Sequence, residues 1–192
     1  TQYTVIGTDA NGCVNSSTIT VTVNPLPVIT ITPSNPAICI GASTTLNASG
    51  ALTYTWSPAT GLSGTSGNTI NANPTNTTTY TVTGTDINSC VNTAQVTVTV
   101  NPLPNVTATA LPTTICEGET LTLTASGANT YTWSPSSTLS NSTGSSVTAQ
   151  PTSTTVYTVT GTDINGCINS ASVTVNVSPN PIINVSASPN VI

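Results

Sequence analysis

Residues 78–104 read TTYTVTGTDINSCVNTAQVTVTVNPLP. Tyr80 and Val82 alternate with Thr79, Thr81 and Thr83, and Val96, Val98 and Val100 alternate with Thr97 and Thr99. A period of two with one apolar and one hydroxylated face describes half-buried antiparallel strands. Between them lies Asp86 and the pair Asn88-Ser89, where two other copies of this stretch have Asn11-Gly12 and Asn165-Gly166. Asn-Gly favours a tight hairpin. The run ends at Asn101-Pro102-Leu103-Pro104, and proline fixes φ and removes a ladder donor, so the strand stops there.

The stretch recurs. TDANGC around Cys13, TDINSC around Cys90 and TDINGC around Cys167 are spaced by 77 residues. Tyr3, Tyr80 and Tyr157 keep that spacing, as do Asp9, Asp86 and Asp163. A second set, Cys39 with Cys116, Tyr54 with Tyr131 and Trp56 with Trp133, repeats at the same interval. Gapless recurrence of this kind marks a tandem array. Pro-rich segments at 24–27, 101–104 and 178–181 divide it. The expected organisation is the C-terminal strands of a truncated repeat (1–24), two complete repeats (25–101 and 102–178), and the first strand of a further repeat (179–192).

Other strands are expected at 28–32, at 43–48 with Thr44, Leu46 and Ala48 on one face, at 52–56 with Leu52, Tyr54 and Trp56 on one face, and at 69–72. Six or seven short strands in so short a repeat, without a helical pattern, predict an all-β fold of tandem immunoglobulin-like β-sandwich domains. Trp56 and Trp133 share a strand face with Tyr54 and Tyr131. Together with Tyr80 and Tyr157 they are expected in the core rather than on a carbohydrate-stacking surface.

Composition narrows function. The chain has no Lys, Arg or His, five acids and a net charge of −5. Thr, Ser and Asn make up roughly 45% of it. It lacks the basic footprint that nucleic acid or an acidic membrane surface requires. No Ser-His-Asp triad, Schiff-base lysine or phosphate-gripping loop can be assembled, so no enzyme, catalytic residue or cofactor is expected. Glu117 and Glu119 are replaced by Ile40 and Ala42 in the other repeat and read as solvated charges, not a metal site. Asp9, Asp86 and Asp163 are expected to bind turn amides. Seven Asn-x-Ser/Thr sequons occur, and none recurs at an equivalent position. No apolar run is long enough to span a membrane as a helix.

Five cysteines without histidine or a C-x-x-C motif read as a disulfide framework in an oxidising, extracytoplasmic setting. Cys13 has no partner of its own repeat within 1–24. Two connectivities stand open. Pairing within repeats gives Cys39–Cys90 and Cys116–Cys167, each closing an equal loop and contributing roughly 4 kcal/mol on the chain-entropy model. Pairing between repeats gives Cys39–Cys167. The count of one pair per repeat favours the first; the placement of the two cysteines at opposite poles of an immunoglobulin-like sandwich favours the second.

ICxG (38–41, 115–118), YTWSP (54–58, 131–135), TTxYTVTGTD (77–86, 154–163), xNGC and VTVTVNPLP together resemble a known family. They are similar to the Ig-like and PKD-like tandem repeats of giant secreted surface proteins of gliding Bacteroidetes-type bacteria. The acidic, glycine-rich turn that follows Trp in PKD repeats is replaced by SPATG at 57–61, which leaves the broader Ig-like group. The resemblance implies export and a role as a stalk carrying adhesins or as a surface fibre. The expected partners are neighbouring repeats and, through lateral self-association, further copies of the fibre. An adhesin recognising glycan through the differing loops at 61–68 and 138–145 is the alternative.

Overall fold

The structure is a computed structural model and describes residues 1–186. The chain divides into two compact units, Thr1–Val100 and the unit that begins at Asn101. Most strands arise from alternation of an apolar residue with a hydroxylated or amide-bearing one.

The first unit opens with a two-stranded antiparallel hairpin, β1 (Gln2–Thr8) and β2 (Val14–Thr20). A sandwich follows: β3 (Thr30–Thr32), β4 (Ala37–Cys39), β5 (Thr44–Ser49), β6 (Thr53–Ser57), β7 (Thr69–Ala72), β8 (Thr78–Thr85) and β9 (Val91–Asn101). One sheet has the order β3-β5-β7 and the other β4-β9-β8-β6. The second unit repeats this plan with β10 (Thr107–Leu111), β11 (Thr114–Cys116), β12 (Leu121–Ser126), β13 (Thr130–Ser134), β14 (Ser146–Ala149), β15 (Thr155–Thr162) and β16 (Ile168–Ser178), in sheets β10-β12-β14 and β11-β16-β15-β13. Each strand of this second set begins 77 residues after its counterpart. The first edge strand changes sheets at a proline: β3 pairs with β5, and β4, beyond Pro33 and Pro36, joins β9. Proline removes the ladder donors there and lets the chain cross over.

The core of the first sandwich contains Ile38, Leu46, Tyr54, Trp56, Ile70, Tyr80, Val82, Val96 and Val98. The second contains Ile115, Leu121, Leu123, Tyr131, Trp133, Val147, Tyr157, Val159 and Val175. Burying each aliphatic side chain contributes about 1.5–3 kcal/mol. Alternation places their threonine neighbours outward, where cross-strand hydroxyl pairs form, such as Thr79–Thr97 at 2.8 Å and Thr109–Thr124 at 2.6 Å. Among the described residues no polar or charged residue is buried.

Two expectations are corrected. Leu52 does not share the inward face of Tyr54 and Trp56; it is 67% exposed. Gly50, at φ +100°, turns the chain just before it, and the Leu52 amide donates to the Thr85 carbonyl, so the alternation starts at Thr53. The strand expected from Val28 begins at Thr30, just past Pro27. Residues 179–186 form no strand, and the remainder of the expected 179–192 strand lies outside the described residues.

Candidate functional site

The hairpin turn is the most regular polar feature. Asp9 Oδ1 accepts from the amides of Asn11 and Cys13, both at 2.9 Å. Asp86 Oδ1 accepts from Asn88 and Cys90, and Asp163 Oδ1 from Asn165 and Cys167, all at 2.8 Å. The backbone adds a bond from the fourth residue to the aspartate carbonyl, for example Gly166 to Asp163 at 3.2 Å. A carboxylate bridging two turn amides satisfies donors that the reversal leaves unpaired. The connection is therefore a five-residue turn closed by Asp, with Thr8 opposite Val14 as the last pair, and not the two-residue Asn-Gly turn that the sequence suggests. Glycine in it serves the fourth position, at φ +83° in Gly12 and +79° in Gly166.

Ser89 occupies that position at φ +62°. A left-handed conformation costs a non-glycine residue about 1–2 kcal/mol. Ser89→Gly is therefore expected to stabilise the first sandwich by about 1 kcal/mol, read as a higher urea midpoint with an unchanged slope. A lower midpoint would show that the serine side chain contributes more than its backbone costs.

This turn also positions cysteines. Cys90 and Cys167 end it, and Cys39 and Cys116 end β4 and β11 just before a turn in which Ala42 and Glu119 donate back to their carbonyls. Glu119 Oε2 accepts from the Cys116 amide at 2.9 Å, so this acid closes a turn. Among the described residues no group of three His, Cys, Asp or Glu could hold a metal ion. Cys39 and Cys167 are disulfide-bonded, whereas Cys13, Cys90 and Cys116 are free thiols. Pairing within repeats, which needs Cys90 and Cys116, is thereby contradicted. Cys167 is fully buried, while Cys90 at the equivalent turn is half-buried.

The aromatic residues of the two sandwiches, Tyr54, Trp56, Tyr80, Tyr131, Trp133 and Tyr157, lie in the core. Trp56 Nε1 donates to the Gly67 carbonyl at 2.9 Å, and Trp133 Nε1 to Gly144 at 3.0 Å. Tyr54 Oη accepts from the Ala51 amide and donates to the Ala51 carbonyl, and Tyr131 does the same with Ala128. The Tyr80 hydroxyl donates to the Thr60 carbonyl at 2.7 Å, while Tyr157 pairs with Thr138 Oγ1. Burial pushes the Tyr80 phenol above its ordinary value, against a smaller opposing effect of Thr78.

The loops at 61–68 and 138–145 differ in sequence but share one backbone plan. The Trp56 amide donates to Thr65, the Gly67 amide to Tyr54 and the Ser63 amide to Asn71; Trp133 to Ser142, Gly144 to Tyr131 and Ser140 to Thr148 are the counterparts. Each loop thus covers the open edges of β6 and β7, or of β13 and β14. Covering an edge removes the template on which another chain could add a strand. The two loops share this work despite their different sequences, because the bonds come from backbone atoms that every residue carries.

No protein-family model matches this chain. No curated protein matches it either. Solved structures do. A C-terminal fragment of intimin, in complex with the intimin-binding domain of the translocated intimin receptor, is 15% identical over 82% of this chain and 65% of that one, with a TM-score of 0.47. A Ca²⁺-stabilised adhesin of an Antarctic bacterium that binds ice is 16% identical, over 93% of this chain and 57% of that one, at 0.40. Immunoglobulin domains 1–4 of Sidekick-1 are 17% identical, over 92% and 58%, at 0.38. All three TM-scores lie below 0.5; the all-β class is that of the strands and sheets described above.

Proposed function

We propose that this chain is a structural segment of an extended extracellular stalk or filament on a bacterial surface, in which consecutive repeats are stapled by disulfides. The observation that carries the reading is the cysteine state. The two bonded cysteines fall one in 25–101 and one in 102–178, and the partners that a within-repeat bond would need are free. A bond from Cys39 to Cys167 makes the chain between them a closed loop that cannot be drawn out.

Strand order supports the reading. In the second unit β11, near its start, runs parallel to β16, at its end, pairing Thr114 with Asn176 and Cys116 with Ser178. The Asn176 amide donates to Thr113, the Glu117 amide to Ser178, and Asn180 Nδ2 to the Glu117 carbonyl. With the staple reduced, pulling the ends of such a unit apart loads these bonds in shear, all together, rather than opening them one at a time; with it intact the tension runs through the disulfide. The Thr/Ser/Asn coat also suits an exposed fibre: without Lys or Arg it offers trypsin-like proteases no cleavage site.

Peptide mapping tests the staple. Free thiols are alkylated at low pH, the chain is cut with pepsin, and linked peptides are identified without reduction. A Cys39–Cys167 peptide pair is the expected product, with Cys13, Cys90 and Cys116 alkylated. A Cys39–Cys90 pair would overturn the reading.

A further inference from the structure

The hairpin β1–β2 carries an apolar face that the rest of its unit leaves in water. Tyr3 is 55% exposed, Val5 67% and Val21 46%. Their equivalents in the two sandwiches, Tyr80, Val82 and Val98 and then Tyr157, Val159 and Val175, are all 0% exposed. Strand pairing is the same in all three hairpins and the Tyr, Val and Gly positions of this face are identical, so what differs is the cover.

Two further details show what cover the hairpin is shaped for. Gly84 faces Ile29 and Ala51 so closely that a Cβ there would lie 2.4 Å from Ile29 Cδ1. Gly161 faces Val106 and Ala128 in the same way, at 2.7 Å each. Gly7 is the equivalent position, and a Cβ there would meet nothing within 4 Å. The hairpin thus keeps the socket without the knob. Asn92 Nδ2 donates to the Pro27 carbonyl at 2.9 Å, and Asn169 Nδ2 to Pro104 at 2.9 Å. Asn15 stands at the same position, with its Oδ1 held by the next amide, Ser16, as Thr93 holds Asn92 and Ser170 holds Asn169.

We infer that the exposed face of β1–β2 is a docking surface for a polypeptide segment of the 25–77 type. That segment supplies an aliphatic knob for Gly7, a proline carbonyl for Asn15, and a Trp-bearing strand for Tyr3 and Val5. The occupant is identified by the cover of the two closed copies, where β3–β7 and β10–β14 do this work. An isolated two-stranded hairpin is marginally stable at best in water and gains stability when its apolar face is packed. The inference does not depend on the cysteine pairing proposed above.

The experiment places a copy of residues 25–77 directly before Thr1, the equivalent of Thr78, in the full chain. A second version uses residues 102–154. Hydrogen exchange at the hairpin amides is expected to slow by at least 100-fold, to the level of β8–β9, and the added Trp emission to shift to the blue. Gly7→Val is expected to abolish this protection in the extended chain, yet leave the urea midpoint of the unextended chain unchanged. Unprotected hairpin amides in both extended versions would overturn the inference. So would a dimer of the unextended chain in which Tyr3 is protected, since a second copy would then be the cover.

Discussion

Replacing Trp133 with alanine is expected to cost the second sandwich about 3–5 kcal/mol, most of the stability that a domain of this size holds. Trp133 is 1% exposed and lies among Leu123, Tyr131, Val147 and Val159. Its loss leaves a cavity and also removes the donor to the Gly144 carbonyl, which anchors the edge loop. Loop and core should therefore fail together. Because each complete repeat has one Trp, the variant retains only Trp56, whose emission then reports the first sandwich alone. Urea unfolding followed by circular dichroism and by this emission separates the two units. A loss below about 1 kcal/mol would show that the sandwich closes without the indole, and Trp133→Phe, which keeps most of the volume, is expected to lose less than half as much.

Gly127→Ala is the second large effect. Gly127 sits at φ +92°, and a Cβ there would lie 1.9 Å from the Asn105 carbonyl oxygen. That neighbour is backbone, so a rotamer change cannot relieve the overlap. The expected cost is about 3 kcal/mol, combining left-handed strain with displacement of the segment before β10. Gly118→Ala is the control. It has φ +85° but nothing within 4 Å of the added methyl, so only the conformational cost of about 1–2 kcal/mol is expected. Equal losses in the two variants, measured by urea midpoints, would show that the close approach at Gly127 is relaxed at no cost.

The strands of both sandwiches were legible in the chain because their signal is local. Alternation at Tyr80 and Val82 or at Val96 and Val98 needs no neighbour to be recognised, since successive side chains of any strand point to opposite faces. The aspartate at the hairpin was legible for the same reason: its acceptor reaches amides only two and four residues away. Where reading erred, the cause lay across the fold. Leu52 fits the alternation of Tyr54 and Trp56, but Gly50 must turn beneath the Val28 carbonyl, 22 residues earlier, and that contact delays the strand.

The sequence by itself determined the all-β class, the 77-residue spacing, the aromatic set that fills each core and the absence of any basic side chain. Tertiary structure alone decided which cysteines bond, which glycines tolerate a methyl group, and that the differing loops close sheet edges. The reason is physical. Strand periodicity is carried by each few residues of backbone, whereas a disulfide needs two Cα atoms within about 7 Å of each other, and sequence separation does not set that distance.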